Sequence, residues 1–197
     1  MTRPPQRALE LTDPRALRAL AHPTRLKLLK LLRTVGPLTA TQAAERTGES
    51  AGSCSFHLRQ LAKWGLCESA GGGHGREHPW RATAAATSWS DVGASPEMAE
   101  ASRVLSRVVA EGYLKGFLHW LDGREHEAMA WQNAAAFGDV VLYLTAEELS
   151  ETAQAMRDAI ETAAERSSDR AVPHPGARMV QFVMMSYPLD DKESGDG

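Results

Sequence analysis

The sequence predicts an α+β chain that is mostly α: four short helices and a hairpin, then one long helix, then a small strand-helix-strand unit. Three observations carry this expectation. Between Asp13 and Gly65, helix caps and glycine stops punctuate apolar stripes of helical period. Two short extended segments then flank the glycine run Gly71-Gly-Gly-His-Gly75. Beyond Ser95-Pro96 an apolar helical pattern continues to about Leu121, and a strand, a helix and a second strand follow between Phe137 and Tyr187. The expected organisation is a disordered start at 1–9, a first domain at 10–87, a second at 95–188 and a disordered tail at 189–197.

With 43% hydrophobic and 24% charged residues, the 197 residues can bury one moderate core or two small ones. Met-Thr-Arg-Pro-Pro-Gln contains no apolar leader, and no run of about 18 apolar residues occurs, so the expectation is a cytoplasmic chain with no membrane partner. Two cysteines, Cys54 and Cys67, make no disulfide framework and are expected to be reduced. The net charge of −3 hides an asymmetry. Up to Ala85 there are 13 Lys and Arg against 6 Asp and Glu, or +7; beyond it there are 9 against 19, or −10. A basic half suits a polyanion, and an acidic half suits some other task.

The elements follow in order. Asp13-Pro14 reads as an N-cap and a first helical proline, and that helix halts before Pro23. From Thr24 to Arg33, Leu28, Leu29 and Leu32 share one face with Lys27 and Lys30 opposite, and Gly36-Pro37 ends the pattern. Thr39 and Gln42 form a capping box for a helix over 40–47, which Gly48 stops. Ser50 caps the next helix, which runs to about Trp64 before Gly65. In it, Cys54, Leu58 and Leu61 recur at i, i+4 and i+7 and face inward. Helix, turn and helix are thus followed by a hairpin, in which Pro79 confines the second strand to an edge-like role. This is the pattern of a winged helix.

Such a helix enters a DNA major groove by its N-terminal end. Ala51 and Gly52 leave the backbone room to approach, and Ser53 and Ser55 can donate to phosphates. Arg59 suits guanine, Gln60 suits adenine and Phe56 suits a thymine methyl. Lys63 adds charge, and His57 either packs or touches a phosphate. Arg76, behind the glycine tip, can reach the minor groove or a phosphate.

The chain resembles the ArsR-like winged helix-turn-helix regulators over residues 10–85, through Leu17-Arg-Ala-Leu-Ala-His-Pro-Thr-Arg-Leu-Lys-Leu-Leu29, Ser53-Cys-Ser-Phe-His-Leu-Arg-Gln-Leu61 and Gly65-Leu66. The resemblance implies a dimeric regulator of transcription, read here as a repressor, on double-stranded DNA with a near-palindromic operator. It implies no metal site, because the helix over 40–47 lacks the paired cysteines that arsenic- and cadmium-type members place there. Cys54, His57, Cys67, His74 and His78 are not read as a zinc set: Cys54 belongs to the inward stripe, and no Cys-x-x-Cys occurs.

In the second half, Gly112 and Gly116 stand one turn apart and can admit a close helix. Thr145 to Glu148 is a capping box opening a helix with Leu149, Ala153, Met156, Ile160 and Ala163 on one stripe. A two-stranded sheet is marginal alone, so the unit must pack on the long helix or on a second subunit. Tyr113, Phe117, Trp120, Trp131 and Phe137 can line a pocket for a small-molecule effector, though aromatics at such spacing more often form a dimer or domain core. No nucleophile-base pair, phosphate loop or dinucleotide fingerprint occurs, so neither an enzyme nor a cofactor is expected. The alternative reading is a winged helix used for protein interaction or dimerisation without DNA readout.

Overall fold

The computed structural model describes residues 8–71, 78–90, 92–168 and 174–189, in two compact units, Met1–Glu125 and His126–Gly197. The architecture is mostly helical α+β, with a helix-turn-helix region at the N-terminal end, a long helix and short strands. In the first unit, β1 (Ala8–Glu10) precedes α1 (Pro14–Leu20), α2 (Pro23–Thr34), α3 (Ala40–Thr47) and α4 (Ala51–Lys63). Strands β2 (Cys67–Ser69), β3 (Trp80–Ala82) and β4 (Ala86–Ser88) follow, and then α5 (Pro96–Gly123).

Local chemistry sets the helix ends as the sequence indicates. Asp13 accepts from the amide of Arg15 at 2.8 Å with Pro14 at the first helical position. At α2 the cap is an imidazole: Nδ1 of His22 accepts from the amide of Thr24 at 3.2 Å, and the helix starts one residue earlier than expected, at Pro23. The Thr39–Gln42 capping box closes reciprocally at 2.9 and 3.2 Å. Gly48 then stops α3 at φ 76°, a left-handed conformation that costs a residue without a Cβ little.

The core is one leucine-rich cluster. Leu17 and Leu20 of α1, Leu28, Leu29 and Leu32 of α2, and Cys54, Leu58 and Leu61 of α4 are buried together with Leu66 and Cys67. The near half of α5 joins them through Met98, Ala101 and Leu105, and Arg18 of α1 pairs with Glu97 at 2.9 Å. Packing of its near half therefore places α5 with the first unit, which runs to Glu125, past the domain boundary at 88–94 that the sequence suggests.

The hairpin pairs β2 with β3 antiparallel, Cys67 opposite Ala82, and Glu68 bridges to Arg81 at 2.7 Å across the strands. Pro79 leaves β3 less edge-like than expected, because the amide and carbonyl of Trp80 both bond to Leu38, at 2.8 and 3.0 Å. The hairpin tip at 72–77 lies outside the described residues. A second, parallel pairing joins β1 to β4, Leu9 opposite Thr87. Arg33 reinforces it by donating to the carbonyl of Ala84 and the hydroxyl of Thr87. This strand begins at Ala8, inside the stretch read from the sequence as disordered; the pairing depends on a partner nearly 80 residues away, which no local pattern announces.

Beyond Leu105, α5 changes character. Tyr113, Leu114, Leu118 and Leu121 are exposed, and a Cβ added at Gly112 or Gly116 would meet nothing within 4 Å, so this glycine pair admits no close neighbour among the described residues. In the second unit, α6 (Met129–Ala134) and α7 (Ala146–Ser168) are the regular elements. Glu148 and Thr145 close the expected capping box at 2.7 and 3.2 Å. Glu127 holds Arg178 with two bonds of 2.6 and 2.9 Å, and that guanidinium lies 5.1 Å from the Trp131 ring centroid.

The stretches 137–144 and 178–187, expected as the two strands of this unit, form no ladder among the described residues. Their side chains face solvent instead, Val140 at 76% and Tyr143 at 99% exposure. A lone strand has no ladder partner for any of its backbone groups and leaves its apolar faces wet, so sequences of this kind form strands only when a neighbour is supplied. Among the described residues, the strands of the α+β fold are those of the first unit.

Leu58→Ala is expected to destabilise the first unit by about 2–5 kcal/mol, because the site is fully enclosed and cannot collapse. Urea unfolding checks this, and a loss under 1 kcal/mol would contradict the packing described.

Candidate nucleic-acid interface

Three side chains decide which side of α4 meets solvent. Cys54, Leu58 and Leu61 are buried, which fixes the helix rotation and turns the opposite side outward. Ser50 starts the helix by accepting from the amide of Ser53 at 3.1 Å. Ala51 and Gly52 are exposed, so the first turn offers backbone and almost no side chain. Phe56 stands 52% exposed, Arg59 and Lys63 are exposed, and Ser53, Ser55 and Gln60 are half-buried. Seven of the eight residues singled out from the sequence thus belong to this one helix. The eighth, Arg76, lies outside the described residues.

His57 and Ser53 are drawn into the protein most firmly. The His57 ring lies 4.5 Å from that of His22, with the Phe56 ring edge-on at 5.2 Å, and its Nδ1 is buried with no hydrogen-bond partner among the described residues. Burial, reinforced by His22 and Arg25, holds His57 below its ordinary 6.5. Burial and Arg25 do the same to His22, while Glu49 opposes. His57 is therefore a packed imidazole at the base of the face. Ser53 is committed as well: its hydroxyl donates to Oε2 of Glu49 at 3.1 Å. The other carboxylate oxygen accepts from the Thr24 hydroxyl at 3.2 Å. Sequence reasoning passed over Glu49; its only signal was its position between the stop Gly48 and the cap Ser50.

The cationic side chains around the helix are placed by neighbours. Lys27 donates to the Thr47 carbonyl at 2.7 Å, at the end of α3. Lys63 and Arg15 lie on the Trp64 ring, each 5.8 Å from its centroid. Arg25 is half-buried, with Nε unpartnered among the described residues, and burial lowers its pKa.

The thiols belong to the core. Cys54 is buried 3.6 Å from the Thr47 hydroxyl. Cys67 donates to the Leu58 carbonyl at 3.3 Å, and burial pushes its pKa up to about 12. A thiol so placed is a poor nucleophile and a poor ligand.

The five aromatic residues considered for an effector divide between the two units. Tyr113, Phe117 and Trp120 lie on α5, with the Phe117 and Trp120 rings 6.0 Å apart and Arg124 over the latter at 5.5 Å. Trp131 lies on α6 beneath Arg178, and Phe137 follows it, 86% exposed. Among the described residues no helix is long and apolar enough to cross a membrane.

A family model described as a helix-turn-helix domain matches residues 20–69, the stretch from the end of α1 to the end of β2. No curated protein matches the chain. The segment bearing α2, α3 and α4 is thus similar to helix-turn-helix domains, a motif whose second helix is shaped to enter a DNA major groove.

The two half-buried histidines set a pH dependence. Unfolding frees both imidazoles, so the unfolded chain binds protons that the folded chain refuses. Stability is complete above about pH 6.5 and declines as the pH falls below it. The urea midpoint is expected to drop between about pH 7.5 and pH 5.5, and to drop less in His22→Asn/His57→Gln, where asparagine retains a capping oxygen. Equal slopes in the two proteins would contradict this assignment.

Proposed function

We propose that the chain is a sequence-specific DNA-binding regulator of transcription, which acts as a homodimer and represses by occupying a near-palindromic operator. The observation that carries the reading is the solvent side of α4: a nearly bare first turn followed by Phe56, Arg59, Gln60 and Lys63, set on a helix whose rotation the core holds fixed. A bare turn lets backbone amides approach phosphates, Arg59 and Gln60 carry the donor pairs that read guanine and adenine, and Lys63 supplies charge. Ser55 and Arg76 complete the proposed set. The +7 balance of residues 1–85 favours approach to a polyanion.

Dimerisation is supported by apolar surface that the single chain leaves wet. The far half of α5 exposes Tyr113, Leu114, Leu118 and Leu121, and the second unit exposes Val140, Leu142, Phe182 and Met185. Clusters of such side chains on one chain are the usual mark of an interface. Two copies would set their α4 helices about 34–36 Å apart, on successive major-groove faces.

Selection from a random duplex pool tests the reading directly, and an enriched inverted repeat is the expected outcome. Arg59→Ala/Gln60→Ala should relax the selected bases, each contact contributing roughly 1–3 kcal/mol of discrimination. Lys63→Ala should instead weaken all sequences alike and reduce the salt slope of log K by about 1. Anisotropy titrations with no salt dependence, or selection indifferent to Arg59 and Gln60, would favour a protein-interaction module.

A further inference from the structure

We infer that Glu49 is a specificity-determining residue of the interface, a fixed carboxylate that accepts a hydrogen bond from the N4 amino group of a cytosine in the major groove. The inference rests on the DNA-binding reading and adds to it the base that this corner selects. Glu49 stands in the turn between α3 and α4, immediately before the cap Ser50, at the leading end of the helix proposed to enter the groove. It is exposed, yet it does not swing freely. One oxygen is held by Thr24 of α2 at 3.2 Å and the other by Ser53 of α4 at 3.1 Å, so two different helices locate it. Thr24 is itself anchored, its amide donating to the ring of His22.

Because Ser53 spends its proton on Glu49, this corner presents a nucleic acid with an acceptor rather than a donor. Each carboxylate oxygen keeps a further lone pair for a partner outside the protein. Phosphates repel such a group, which leaves the base edges. In the major groove, guanine shows two acceptors and thymine shows one beside its methyl, so both are disfavoured opposite a carboxylate. Adenine offers its N6 amino group, but flanked by the N7 acceptor; cytosine offers its N4 amino group without one. Cytosine is the base that a fixed carboxylate selects. A carboxylate ahead of a helix N-terminus also stabilises that helix, but this contribution is the same on every DNA sequence.

The test is selection from a random duplex pool with the full chain, its Glu49→Ala variant and its Glu49→Gln variant. The natural chain should enrich a cytosine at one half-site position next to those read by Arg59 and Gln60. There, its preference over the other bases should be roughly 5- to 150-fold. Glu49→Ala should lose that preference while keeping the bases selected by Arg59, and should bind unselected DNA more tightly because a negative charge has gone. Glu49→Gln should accept adenine at the position, since an amide both accepts from N6 and donates to N7. If all three proteins enrich the same half-site, Glu49 reads nothing and the inference is overturned while DNA binding stands. If the natural chain enriches no sequence, the DNA-binding reading falls, and this inference with it.

Discussion

The burial of Cys54, Leu58 and Leu61 is the constraint on which the interface depends. These three side chains sit at full enclosure between α2, α3 and β2, and a helix held on one stripe has no freedom to rotate about its axis. Turning α4 by a single residue, about 100°, would drive Ser55 or Arg59 into a leucine-rich core with no partner for its polar group. The cost of that exchange exceeds anything the exposed face contributes, so the core dictates which residues are available to a ligand. The caps at Thr39 and Ser50 and the left-handed Gly48 then fix where the helix begins, and hence which turn leads.

Electrostatics at this end of the molecule is more mixed than the basic balance of the first half implies. Burial lowers the pKa of both His22 and His57, beside the half-buried Arg25. The cations Lys27 and Lys63 rest on a carbonyl and on an aromatic ring, which orient them without neutralising them. Against this background one carboxylate, Glu49, is fixed by hydroxyls from two helices. A surface that attracts a polyanion everywhere discriminates little; an acceptor placed among donors is what makes one base edge differ from another.

The second unit follows a different economy. Among its described residues the regular features are a capped α7, a short α6 and the Glu127–Arg178–Trp131 cluster, while its most apolar stretches stay exposed. Leu149, Ala153 and Ile160 of α7 are only half-buried, and Met156 is exposed. Such a unit gains little from burial within its own chain, and if a second copy supplies the covering surface, as proposed, its stability becomes inseparable from protomer concentration.

Much of the first unit was legible because its signals are local. Asp13-Pro14, the Thr39–Gln42 box, Gly48 and Gly65 act within four residues of themselves, and the leucine stripes repeat within one helix. The sequence by itself therefore determined the helices, their ends, the inward side of α4 and the seven candidate side chains upon it. Only tertiary structure decided what surrounds those side chains: that the His57 ring packs against that of His22, 35 residues away, and that Thr24 of α2 holds the Glu49 to which Ser53 donates, 25 residues away. It likewise decided the parallel pairing of β1 with β4 and the bond of Trp80 to Leu38, where three-residue strands carry no periodicity of their own. Strand propensity at 137–144 and 178–187 could be read from residue types, but a strand is completed by its neighbour, and which neighbour a segment finds is not a property of the segment.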